Sequence, residues 1–249
     1  MFGAVFYTLL SVFLVSLMSF AGVLTLGIKR ARLQHVLLYL VSFSAGAMLG
    51  DVFFHLLPEL VKSSGSFTLL ASVFVLLGIV AFFIIEKFIH WHHCHVEGEG
   101  HVHPFAWANL FGDGVHNFID GLIIGASYLV SLPVGFATTI AVLFHEIPQE
   151  IGDYGVLLHG GFSRRKALLF NFLIALTAVL GALVALLLGK IDGFLQFLIP
   201  FAAGNFLYIA GADLIPELHK EVRASKSFLQ LLFFIFGIAI MLMLKFLEF

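Results

Sequence analysis

The chain holds a single cysteine, Cys94, so it can form no intramolecular disulfide, and cysteine usage says nothing about its redox compartment. Charge is scarce as well. Only 11% of residues are Asp, Glu, Lys or Arg, and the net charge of -2 leaves no basic face for nucleic acid. Long polar stretches are scarcest of all. With 61% hydrophobic residues and a mean hydropathy of +1.07, the chain has more apolar surface than one soluble core could hide, so lipid must solvate it. The first apolar stretch, from Ala4 to about Thr25, has no basic residue before it and is long enough to span. It reads as a retained helix, with the mature chain starting at Met1, and not as a cleaved signal.

A window of about 20 residues gives spans near 4–26, 36–57, 67–89, 105–130, 133–157, 166–188, 194–216 and 227–247. The fourth and fifth are the weakest on hydropathy because they carry most of the polar residues. The fold class expected is therefore an all-α integral membrane protein, one transporter-like domain over 1–249, with eight helices and both termini on one side. With the N-terminus outside, ten basic residues (Lys29, Arg30, Arg32, Lys87, Arg164, Arg165, Lys166, Lys220, Arg223, Lys226) face the cytoplasm and three (Lys62, Lys190, Lys245) do not. That bias puts both ends outside the cytoplasm, and the plasma (inner) membrane is the expected location.

Residues 43–60, FSAGAMLGDVFFHLLPEL, align without gaps on 201–218, FAAGNFLYIAGADLIPEL, with eight identities that include Pro58 with Pro216 and Glu59 with Glu217. The second and seventh spans cross in opposite directions, so the repeat is inverted. Three-helix units 1–3 and 6–8 flanking a central pair is a transporter plan, with the site expected near the midplane.

The central pair holds the chemistry. In the fourth span Asp113, His116, Asn117 and Asp120 fall at i, i+3, i+4 and i+7, on one helical face. In the fifth, His145, Glu146, Gln149, Glu150 and Asp153 make a second stripe. With Asp51, His55 and Asp213 added, ten ionisable groups lie inside predicted spans. Exposing them to lipid, at roughly 2.5 to 3.5 kcal/mol each, would cost on the order of 20 to 30 kcal/mol, more than a domain's net stability. Almost no Lys or Arg in these spans could neutralise the acids, so they call for a metal ion or protons. Imidazole with carboxylate and amide oxygen suits Zn2+ first, then Fe2+, Mn2+ or Cd2+; the lack of membrane cysteines argues against Cu+. Pro148 removes one helical hydrogen bond and frees the carbonyl of Phe144 beside this stripe, which predicts a kink. Gly112, Gly114, Gly121 and Gly125 read as small faces for close helix contact.

HNFIDG at 116–121 and HEIPQEIGD at 145–153 resemble the paired signatures of the ZIP family of divalent-metal transporters. The resemblance extends over essentially the whole chain. It implies ligands at His116, Asn117, Asp120, His145, Glu146 and Gln149, with Asn171 at an additional ligand position, forming a binuclear site. It also implies transport without ATP, by movement of helices 1, 4, 5 and 6 against the others, in a homodimer, toward the cytoplasm. Many relatives have His where Gln149 stands, and an amide oxygen is a weaker ligand for Zn2+ than imidazole. Asp51 and His55, at i and i+4, are expected to line the outer approach, and Asp213 occupies the repeat position of His55.

Between the third and fourth spans, the segment 90–104 holds His90, His92, His93, Cys94, His95, His101 and His103, a density that binds zinc or its neighbours. No organic cofactor is expected. Two rivals use the same residues: an intramembrane metallohydrolase, disfavoured because the HExxH pattern begun by His145 and Glu146 has Gln149 in place of its second His, and a metal-selective channel. Deleting the His-rich segment is expected to spare metal flux more than His116→Ala does; uptake assays giving the opposite order would remove the core-site reading.

Overall fold

A computed structural model of the chain describes residues 2–24, 30–91 and 104–246. The described residues form eight helical rods and no strand: α1 (2–24), α2 (30–64), α3 (Leu69–Trp91), α4 (Pro104–Val130), α5 (Leu132–His159), α6 (Arg164–Leu188), α7 (Phe194–Leu218) and α8 (Ala224–Phe246). All but α4 and α5 are long and apolar enough to cross a membrane. Those two, of 27 and 28 residues, have the length, at 1.5 Å of rise per residue, but carry the polar stripes. The chain is thus an all-α multi-pass membrane protein, with α4 and α5 the least lipid-like of its rods.

The turns are short and locally encoded. Gly65, in the left-handed region at φ 77°, ends α2 and donates its N–H to the Val61 carbonyl at 2.8 Å. A single residue, Ser131, links α4 to α5; its hydroxyl accepts from the Val134 N–H at 3.3 Å while Pro133 sits in the first turn. The two polar helices are therefore held antiparallel and side by side.

The internal repeat has a structural counterpart. A π-helical turn interrupts α2 at Val52–Leu56 and α7 at Ile209–Leu214. The repeat alignment places 52–56 on 210–214, so both turns precede the matched prolines Pro58 and Pro216. Proline cannot donate to the carbonyl four residues back, and its ring crowds that carbonyl; one widened turn relieves both problems.

Glycines set which helices lie closest. A Cβ on Gly46 would strike the Phe234 carbonyl, and one on Gly237 the Phe43 carbonyl, so α2 and α8 meet backbone to backbone. Gly78 and Gly204 do the same for α3 and α7, and Gly121 and Gly181 for α4 and α6. Gly46 and Gly204 are themselves repeat-related. Of the fourth-span glycines expected at contacts, Gly121 lies against Ala178 and Gly125 against Ala185 of α6, whereas Gly114 meets the side chains of Ile174 and Thr177 at ordinary contact distance.

Pro148 lies within an α5 that runs unbroken from Leu132 to His159. The Phe144 carbonyl that it frees accepts a hydrogen bond from the Ser44 hydroxyl of α2 at 2.6 Å. That oxygen is spent on holding α2 against α5, a role not visible along α5 alone.

Gly121→Leu is expected to destabilise the protein by about 1–3 kcal/mol through overpacking. Gly155→Ala, where the new methyl would meet nothing within 4 Å, should be neutral or slightly stabilising. Thermal unfolding of the detergent-purified chain compares the two, and equal shifts would overturn the contact assignment.

Candidate metal site

α4 and α5 turn their stripes toward each other. His116 and Asp120 of α4 meet His145 and Glu146 of α5, and one ligand atom from each lies within 4.8 Å of all the others. The Nε2 atoms of the two histidines are 3.2 Å apart. His145 Nε2 is 3.0 Å from Asp120 Oδ2 and 3.6 Å from Glu146 Oε1; His116 Nε2 is 3.6 Å and 3.5 Å from the same two oxygens. All four residues are buried.

The hydrogen bonding leaves this cluster short of protons. His145 Nδ1 faces the Ala141 carbonyl at 3.2 Å, which assigns the ring proton to Nδ1 and turns the Nε2 lone pair inward. Apart from the two imidazoles, no hydrogen-bond donor among the described residues reaches the oxygens of Asp120 or Glu146. Lone pairs at such distances repel unless a cation lies among them. Four ligands about 2.05 Å from a tetrahedral Zn2+ stand about 3.3 Å from one another. The five separations above, 3.0 to 3.6 Å, bracket that edge length. The cluster has the donors, the charge and the size to hold such an ion.

A second group lies one helical turn away on the same two faces. Asp113, Glu150 and Asp153 each bring a carboxylate oxygen within 4.8 Å of the other two. Here the amides gather. Asn117 Nδ2 donates to Asp113 Oδ1 at 2.8 Å and Gln149 Nε2 to the same oxygen at 3.3 Å. Asn171 Nδ2 of α6 donates to Glu150 Oε2 at 2.6 Å, and Asn109 Nδ2 to Asp153 Oδ1 at 2.8 Å.

A cleft of ≈ 340 Å³ reaches His116 past Asp113, Gln149 and Asp153, with Glu86, Asn109 and Asp213 farther toward the end where α3 finishes and α4 begins. Tyr208 of α7 donates to Glu86 of α3 across its wall. Toward the α4–α5 turn, Ile123, Ile124, Ala141 and Val142 are fully buried in the apolar core.

Of the ligands expected from the sequence, His116, Asp120, His145 and Glu146 converge, and Asp113 and Glu150 join the second group. Asn117, Gln149 and Asn171 are placed as amide donors to carboxylates, although Asn117 Oδ1 and Asn171 Oδ1 are buried without a hydrogen-bond partner. Asp51 and His55 stand apart from both groups. They pair with each other at 3.3 Å, and Thr138 of α5 donates to Asp51 at 2.9 Å. Asp213 is exposed at the cleft. His92, His93, Cys94, His95, His101 and His103 lie outside the described residues, and of His90 only the backbone, in the last turn of α3, is described. Asn109 was not anticipated, yet it sits four residues before Asp113 on the same helical face, which is the signal that could have found it.

The family model of the ZIP zinc transporters matches residues 2–105 and 92–245. The chain belongs to the ZIP family. Among its relatives, zinc transporter ZIP13 of Pongo abelii is 35% identical over 222 residues, covering 82% of this chain and 65% of that protein. The ZIP13 homolog of Drosophila melanogaster is 31% identical over 280 residues, covering 86% and 79%. Zinc transporter SLC39A7 of Mus musculus is 28% identical over 309 residues, covering 87% and 64%. The chain thus spans a little under two thirds of two of these ZIP proteins and about four fifths of the third.

Asp120→Asn or His145→Ala is expected to weaken Zn2+ binding to the purified chain by about a hundredfold or more, since either removes a direct donor. Competition against a fluorescent chelator measures this; a change under about threefold in both variants would exclude the four-residue cluster as a binding site.

Proposed function

We propose that the chain carries a divalent transition metal, Zn2+ before Fe2+, Mn2+ or Cd2+, across a membrane into the cytoplasm by alternating access. One observation carries the reading: four buried donors, two imidazoles and two carboxylates, stand at tetrahedral ligand spacing with no Lys or Arg anywhere from residue 88 to 163. The names of the ZIP relatives, zinc transporters, support the choice of Zn2+ as cargo.

Direction rests on charge. The positive-inside bias puts the α3–α4, α5–α6 and α7–α8 connections in the cytoplasm and both termini outside. With that orientation the cleft opens inward and the apolar plug of Ile123, Ile124 and Val142 faces outward. This is an inward-facing state, and alternating access requires a second state in which α4 and α5 shift against α2 to open the outer side. The bonds that cross this boundary are Ser44 to Phe144 and Thr138 to Asp51, side-chain contacts that sliding can break. By contrast, glycine backbone contacts clamp α4 to α6, α2 to α8 and α3 to α7. Asp51 and His55 then line the outer approach. Assembly as a homodimer in the plasma membrane follows from the resemblance to the family.

The chemistry favours cargo over catalysis. Four protein donors complete a tetrahedral shell, whereas a hydrolytic zinc keeps one position open for water.

In proteoliposomes, saturable Zn2+ uptake is expected, nearly abolished by His116→Ala or Glu146→Ala, with Asp120→Ala close behind. Lys226→Ala, in the first turn of α8 and 3.5 Å from Glu221, should change it little. Uptake should fall as the medium is acidified, because protons compete for carboxylate and imidazole lone pairs. Single-channel currents would replace the carrier by a pore, and peptide cleavage without uptake would replace transport by hydrolysis.

A further inference from the structure

The group of Asp113, Glu150 and Asp153 differs from the four-residue cluster in one chemical respect: its donors are all oxygen. It also differs from the second position that the family signatures imply, because Asn117 and Gln149 act on it through their N–H groups. Its hydrogen bonding is distinctive. Each carboxylate is pinned at one oxygen by a carboxamide, Asp113 by Asn117 and Gln149, Glu150 by Asn171, Asp153 by Asn109. The other oxygen of each, Asp113 Oδ2, Glu150 Oε1 and Asp153 Oδ2, is buried with no hydrogen-bond partner. Asp113 and Glu150 are more than nine-tenths buried.

A purely structural polar network would use both oxygens. Leaving one buried carboxylate oxygen without a donor costs about 1–3 kcal/mol or more, and here this happens three times within one 4.8 Å cluster. Three carboxylates so close also repel one another. Amides that fix a carboxylate's orientation while leaving an oxygen free are what the outer shell of a metal site does.

We propose that Asp113, Glu150 and Asp153 form a second divalent-cation site, all-oxygen in character, which receives the ion from the four-residue cluster on its way to the cleft mouth. The proposal rests on the reading of the chain as a divalent-metal carrier. Asp113 lies three residues from His116, and Glu150 four from Glu146, so the two sites are about 5–6 Å apart along the helices. Asp113 and Asp153 line the cleft beyond His116, so the oxygen site lies on the open side. Carboxylate oxygen is a weaker partner for Zn2+ than imidazole and a good one for Mn2+. A weaker site next to a tighter one lets an ion step toward the cleft mouth, and repulsion between two ions so close speeds release.

The test uses the purified full chain, equilibrium-dialysed against Zn2+ or Mn2+, with bound metal counted by mass spectrometry and Mn2+ also read by pulsed electron paramagnetic resonance. All variants carry Gln in place of His90, His92, His93, His95, His101 and His103 and Ser in place of Cys94, so that the His-rich segment contributes no ion and no imidazole; on that background the otherwise unaltered chain should hold two Zn2+. Glu150→Gln with Asp153→Asn should hold one, while His116→Ala with His145→Ala should also hold one, and its Mn2+ form should show no imidazole nitrogen coupling. The near-isosteric amides preserve shape, and Asp113→Asn, a single change on the other helix, should independently weaken the second ion about tenfold or more. Two ions retained by both carboxylate variants, nitrogen coupling on the ion left in the histidine variant, or loss of both ions together in well-folded variants would overturn the second site. Two ions bound without any flux in proteoliposomes would instead overturn transport and leave the site standing.

Discussion

The structure depends on one electrostatic constraint: carboxylates and imidazoles are gathered inside the helices with no Lys or Arg between residues 88 and 163 to neutralise them. Asp120 and Glu146 have only the two imidazoles within reach, and His145, whose Nδ1 faces the Ala141 carbonyl, turns its Nε2 toward the same space. In a low-dielectric interior such a set is unfavourable unless a cation is shared among its members. The arrangement therefore makes physical sense as a binding site, and as a resting structure only when the ion's contribution is counted.

The surrounding helices supply what the constraint needs. Glycine contacts bring α4 against α6, α2 against α8 and α3 against α7 at backbone distance, which makes stiff pairs. Between α2 and α5 the contacts are of another kind, with single hydroxyls donating across the boundary. Rigid pairs joined by an interface of breakable side-chain bonds can hold donors to within tenths of an ångström and still shift as bodies. The π-turns at repeat-related places in α2 and α7 show that both halves resolve their Pro-Glu ends in the same way.

Legibility was uneven, for reasons that trace to particular residues. The stripe of Asp113, His116 and Asp120 could be read from helical periodicity, because a lipid-facing helix has no use for three ionisable groups on one face. His145 and Glu146 followed by the same argument. The roles of Asn117, Gln149 and Asn171 could not be read in this way, since an amide offers both a donor and an acceptor and only its neighbours decide which is used. In the fold they donate, to Asp113 and Glu150. Ser44 was hidden too: nothing along α2 reveals that its hydroxyl meets the carbonyl freed by Pro148.

What the sequence alone determined was the class of molecule and the identity of its polar helices, because hydropathy and helical periodicity are local properties that survive any packing. Glycine positions and the 43–60 and 201–218 repeat likewise announced close contacts and a two-fold plan. Only the tertiary structure decided which donors share a point in space, and on which side the site opens. Those depend on the rotation and depth of α5 relative to α4, α2 and α6, which are set by packing between residues distant in sequence. The division of one polar strip into a nitrogen-and-oxygen cluster and an oxygen cluster is the clearest example, for it rests on distances of 3 to 5 Å that no spacing in the chain specifies.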